Sequence, residues 1–162
     1  SKKLSGRCKA VRSMLEPFNG AKNNLLGQAS NILLLEWVSG ITVREWAQVH
    51  MKKNWSLDNT DKRELVESAI LLAFEIVKSL AYVHEKGKAV VGNLCAENII
   101  VDDVGKFDVH IIGLGSASFL PEVSKKKTGN CANEALGSIR KDLQSLGEVF
   151  FELFSGQSPH KR

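Results

Sequence analysis

The chain has 162 residues, enough for one domain, and a chain of this size can bury about 70% of its unfolded surface. At 43% hydrophobic and 25% charged it reads as globular, not disordered. Its net charge of +4 is spread out apart from Lys125 to Lys127, which suits a solvated surface better than a nucleic-acid partner. The longest apolar runs, ILLLEWV and AILLAF, are too short to span a bilayer, and SKKLSGRCKAVRS lacks the apolar centre of a signal peptide. Cys8, Cys95 and Cys131 are odd in number and far apart, which argues against a disulfide framework or zinc site. A reducing, cytoplasmic setting is expected, and the NWS pattern at Asn54 is read as chance.

Taken in order, KAVRSMLEPF has apolar residues at helical spacing and is stopped by Pro17, which predicts a short helix. NILLLEWV is a continuous apolar run and predicts a buried strand, punctuated by Ser39 and Gly40. Thr42 and Glu45 form a capping box at the head of a short helix, VREWAQVHM. After a polar loop, Asp61 and Glu64 suggest a second capping box. The long helix it opens has Leu65, Ala69, Leu72, Ala73, Ile76, Leu80 and Val83 on one face. Lys86 and Gly87 are expected to end it.

Short apolar segments follow, AVV, NIIVDD and VHIIGLG, the last two joined as a hairpin around DVGK. Residues 116–138 show no sustained period and read as irregular. RKDLQSLGEVFFELFSG then predicts an apolar helix buried on most sides, capped by Gly156. Trp46 is expected in the core, with Trp37 and Trp55 half-exposed.

This order and wording resemble the larger lobe of a eukaryotic-type protein kinase. NILLLEWVSG looks like the last strand of the small lobe and the hinge, and LAYVHEKG like the end of the long helix. GNLCAENIIVDD sits where the catalytic loop belongs, with Glu97 and Asn98 matching its Glu-Asn. VHIIGLG occupies the metal-binding turn, and ANEAL resembles Ala-Pro-Glu with Asn133 replacing Pro. KDLQSLGEVFFELFSGQSP is similar to the central helix, and its Asp142 matches the Asp that anchors the loop backbone. The resemblance runs from about Asn31 to the C-terminus, with NNLLG at Asn23 to Gly27 a possible extension. It implies an α+β, mainly helical fold: a remnant of the small lobe over 1–38 (one helix and the hinge strand) and a truncated larger lobe over 39–162.

Phosphoryl transfer in that family needs an Asp on the catalytic loop, an Asp holding magnesium, a Lys–Glu ion pair and a Gly-rich loop. Here His-Arg-Asp reads Val91-Gly92-Asn93, and Asp-Phe-Gly reads Gly113-Leu114-Gly115. Asn93 cannot accept a proton near neutral pH, and losing a general base costs about 10²–10⁴ in rate. Gly113 offers no carboxylate, and Asn98 alone is a poor holder for a hard dication. No Gly-rich loop or strand Lys precedes NILLLEWV, and Lys9, Ala10 and Val11 stand about where the partner Glu would fall. The resemblance thus implies a pseudokinase, with no catalytic residues and no metal or cofactor.

The alternative is a divergent Ser/Thr-type kinase fragment with weak ATP and magnesium binding through Glu36 and Val38 of the hinge and Asn98. A third reading is a truncated product without function. The bland readings are that Asn93 and Asn98 are turn residues, Cys95 an inert thiol, Asp102 and Asp103 surface charges, and His84 and His110 lone imidazoles. Complete lobes continue past SGQSP, so Phe150, Phe151, Leu153 and Phe154 are expected to form an apolar patch. A protein partner, or the remainder of a longer chain, would cover it.

Overall fold

In a computed structural model the described residues are 14–18, 32–51, 59–102, 107–120 and 130–159. The expectations on Cys8, Lys9–Val11, Asn23–Gly27, Trp55, Asp103, the hairpin tip and Lys125–Lys127 lie outside them.

The chain opens with strand β1 (Met14–Phe18) against β2 (Ile32–Leu35), antiparallel and with a register irregularity between Met14 and Glu16. The helix expected over KAVRSMLEPF is therefore corrected across its second half, which forms a strand pair with Ile32–Leu35. Helical spacing in so short a run was outweighed by pairing with the apolar run ILLL. Pro17 sits in a pair of strands that, among the described residues, each have an outer edge, the setting in which a strand Pro is found. Beyond β2 the chain leaves regular structure, and Trp37 is 82% exposed, more than the half-exposure expected.

A two-residue strand, β3 (Ile41–Thr42), leads into helix α1 (Val43–His50). The capping box is present: Glu45 N–H donates to the Thr42 hydroxyl, and Thr42 N–H donates to the Glu45 carboxylate at 2.8 Å. Helix α2 (Asn59–Glu85) buries the face read from the sequence, with Ala69, Leu72, Ile76, Leu80 and Val83 inside. It starts two residues before Asp61, so that residue is no cap; it lies in the first turn, where a carboxylate suits the helix dipole. At the other end Lys86 and Gly87 N–H both donate to the Tyr82 carbonyl, and the left-handed residue is Lys88 (φ 50), not Gly87.

Strand β4 (Ala89–Val90) pairs antiparallel with β7 (Ser118–Phe119), a strand inside the stretch expected to be irregular. Strands β5 (Ile99–Asp102) and β6 (Asp108–Ile111) form the expected hairpin, Ile99 opposite Ile111, and β3 adds to β5 to give the order β3-β5-β6. The alternation is clean: Ile99, Val101, Val109 and Ile111 face the core.

Helix α3 (Asn130–Ser155) starts about ten residues earlier than its apolar period suggested, so ANEAL is helical. Asp142, Leu146, Val149, Glu152 and Leu153 make its buried arc, while Leu143, Phe151 and Phe154 are 54%, 51% and 45% exposed. Burial on most sides is thus corrected for this chain, and Leu153 leaves the expected patch because it is in the core. Gly156 (φ 66) ends the helix, its N–H donating to the Glu152 carbonyl at 2.8 Å. One cluster joins Trp46 of α1, the inner faces of α2 and α3 and the sheet residues. Among the described residues no helix is long and apolar enough to cross a membrane.

Candidate functional site

The loop between β4 and β5, residues 91–98, is fixed at its root by α3. Asp142 is 1% exposed, and its carboxylate accepts from Val91 N–H at 2.8 Å, Gly92 N–H at 2.9 Å and His84 Nε2–H at 2.8 Å. Burial by itself pushes this carboxyl up. The His84 bond, the two backbone N–H bonds and attraction to the imidazole outweigh it and hold Asp142 below the usual carboxylate range. The anchor role expected for Asp142 is therefore matched by geometry, and His84 joins it from the last turn of α2.

Further along, Leu94 and Ala96 are buried and pin the loop to the core. A 3-10 turn over Ala96–Asn98 places Asn98, whose backbone N–H donates to the Cys95 carbonyl at 2.9 Å. Its side-chain amide donates to the Asn93 carbonyl at 3.0 Å, and its own carbonyl accepts from Ile112 N–H at 2.8 Å. Asn98 thus staples the loop to itself and to β6. The Asn93 side chain is exposed, and Cys95 is half-buried and free.

The turn after β6 comes against the same amide. Gly113 is left-handed (φ 71), and a Cβ there would lie 2.8 Å from Asn98 Cγ and 2.9 Å from Nδ2 and Oδ1. Gly92 is also left-handed (φ 75), with the Ser116 carbonyl oxygen 2.5 Å from where its Cβ would be. Loop and turn interlock at these two glycines, and a side chain at either would force them apart.

The structure therefore brings together Gly92, Asn93, Asn98 and Gly113, with Val91 buried behind them. Glu36 is exposed and Val38 half-buried on the stretch between β2 and β3. To a magnesium ion this turn offers one neutral amide oxygen, that of Asn98, which does not fit a hard dication. Among the described residues no three His, Cys, Asp or Glu side chains gather to hold a metal.

One feature escaped sequence reasoning. Arg44 of α1 donates through Nε and Nη2 to both carboxylate oxygens of Glu152 on α3, the second at 3.0 Å, and through Nη1 to Glu97 of the loop. Hydrogen bonding to Glu152 raises the Arg44 pKa further, against the opposing effect of burial. The available signal was Glu152 itself, a carboxylate on the arc of Val149 and Leu153, since a buried charge requires a partner. Arg44 carried no local mark.

No protein-family profile matches the chain. Across 143 residues, 82% of this chain, it is 24% identical to the probable serine/threonine-protein kinase PknB of Lactococcus lactis subsp. lactis (strain IL1403). The chain spans 21% of that protein's length. Helices with small antiparallel sheets, in the order described, are consistent with a kinase-like fragment, and the chain is distantly similar to a serine/threonine protein kinase.

Proposed function

We propose that the chain is the kinase-like part of a pseudokinase: residues 39–162 form most of a larger lobe, residues 1–38 contribute a remnant of the smaller one, and it acts as a scaffold or allosteric regulator by binding protein. The observation that carries this reading is the pairing of Asn98 with Gly113. The loop keeps its frame, yet where the resemblance calls for a proton acceptor it has Asn93, and where it calls for a metal carboxylate the Asn98 amide fills the space. Glu97, the acidic residue of the loop, is engaged by Arg44. The exposed Leu143, Phe151 and Phe154 supply apolar surface that a protein partner or further chain would cover.

Thermal denaturation with millimolar ATP and magnesium, alongside phosphate transfer to a generic basic protein, tests the reading. A ligand at a hundred times its Kd adds about 2.7 kcal/mol of stability, which would be plain in the melt. We expect no shift and no transfer. A clear magnesium-dependent shift with transfer would instead establish the divergent kinase, in which Asn98 serves as a ligand beside the hinge residues Glu36 and Val38.

A further inference from the structure

Helix α2 carries a second apolar stripe. Val66, Ile70, Phe74 and Val77 recur at steps of four, four and three residues, on a different side of the helix from Leu72, Ile76 and Leu80. They are 48%, 54%, 62% and 41% exposed, and Leu71 beside them is 58% exposed. A helix that is apolar on more than one side is normally covered on each. Here the core covers the inner side and leaves this stripe bare. Exposure on this scale amounts to about 500 Å² per chain, towards the upper end of what a monomer shows as one patch. Two such faces pressed together would remove about 1,000 Å² from water, the least that a specific interface buries.

The charges beside the stripe select its occupant. Glu67 and Lys78 flank it on one side, near its opposite ends. Both side chains are well exposed, and each pairs with a neighbour on its own helix: Glu67 with Arg63 at 2.9 Å, Lys78 with Glu75 at 2.8 Å. Surface pairs of this kind are weak and readily exchanged for others. A two-fold antiparallel crossing of two α2 helices sets Val66 against Val77 and Ile70 against Phe74 of the second copy. It also brings Glu67 of each copy to Lys78 of the other. A parallel crossing would instead set Glu67 against Glu67 and Lys78 against Lys78. The stripe is thus complementary to itself in one orientation, in apolar pattern and in charge.

We propose that the outer face of α2 binds a second copy of this chain, as an antiparallel two-fold dimer with Ile70 and Phe74 at its centre and Glu67–Lys78 pairs crossing the seam twice. The buried area is at the low end for a specific interface, so the dimer exchanges with monomer and its Kd is of order 10 µM. The inference goes beyond the proposed function. Self-association through α2 uses none of the loop residues on which the nucleotide test bears, so either can fail alone.

Sedimentation velocity of the whole chain, from about 1 to about 200 µM, tests it. The weight-average mass should rise with concentration from that of one chain, 17.8 kDa, towards twice that value. Phe74→Glu, at an exposed position, should melt like the native chain at the lowest concentration and weaken association at least tenfold. Phe151→Glu, on the exposed side of α3, should associate as the native chain does. Glu67→Lys and Lys78→Glu should each weaken self-association about tenfold, because each sets like charges across the seam. An equal mixture of those two variants should associate at least as well as the native chain, because every crossing pair is then opposite in charge. A mass that stays at one chain throughout would overturn the proposal and leave the stripe to a different partner. Unchanged association in Phe74→Glu, its loss in Phe151→Glu, or a mixture that pairs no better than its components would overturn it as well.

Discussion

The root and the tip of the loop over residues 91–98 are a few residues apart and are built to opposite standards. At the root, a buried carboxylate on α3 meets donors from two backbone amides and an imidazole. At the tip, Asn93 is exposed and its side chain is in none of the bonds that fix the loop, while its carbonyl is held by Asn98. The root is costly to alter because Val91 N–H would be left buried, and Gly92 N–H and His84 part-buried, without a partner. The tip is free to vary in side chain so long as its backbone path survives. The loop can therefore keep its shape whatever side chain stands at its tip, because its backbone path and the chemistry of that side chain depend on different atoms.

The largest expected effect is at the root. Asp142→Ala should destabilise the chain by about 3–5 kcal/mol in urea denaturation, since it strands Val91 N–H, Gly92 N–H and His84. A loss under about 1 kcal/mol would break the contrast.

Next come the interlocking glycines. Gly92→Ala forces a left-handed conformation on a residue with a Cβ and pushes it onto the Ser116 carbonyl, so a loss of about 2–3 kcal/mol is expected from the same assay. Gly113→Asp, which introduces a carboxylate, must displace the Asn98 amide. Combined with Asn93→Asp it should lower the melting temperature and still give no phosphate transfer, so a double variant that phosphorylates a substrate would contradict the proposed reading.

Acid sharpens the comparison further. The Asp142 carboxyl is held below its unfolded value of about 3.9, so its stabilisation is complete above that pH and fades as pH falls through the folded value. Stability measured in urea from pH 7 down to pH 3 should fall more steeply for the native chain than for Asp142→Asn, which has no carboxyl to protonate.

Arg44 gives an internal control. Arg44→Ala leaves the buried Glu152 uncompensated and should cost about 3 kcal/mol, whereas Glu97→Gln removes only a more exposed partner and should cost under about 1 kcal/mol. The smallest effect belongs to the tip: Asn93→Ala, at an exposed side chain, should stay within about 0.5 kcal/mol.

Much of the fold was legible where the signal was local. The inner face of α2 from Leu65 to Val83, the Thr42–Glu45 capping box, the β5–β6 hairpin and the Gly156 stop each follow from a period or a short spacing, and each is present. In the candidate site, Asn93, Asn98, Gly113 and Asp142 were all marked by the order of motifs, and all meet in space or through one loop.

What failed depends on distant partners. Met14–Phe18 became a strand because Ile32–Leu35 lies beside it, and Ser118–Phe119 became one because Ala89–Val90 does. Asp61 looked like a cap, yet α2 begins two residues before it. Leu153 and Phe154 are adjacent and equally apolar in sequence, but only the arc of α3 against the core buries the first and exposes the second. The sequence by itself determined which segments are amphipathic, where chains of polar residues interrupt them and which chemistry-bearing side chains the loop can offer. Only the tertiary structure decided that Arg44 would bridge Glu152 and Glu97 and that Asn98 would fill the place beside Gly113. Those outcomes turn on pairings between residues far apart in the chain, and a local period carries no information about which distant group completes a hydrogen bond or covers an edge.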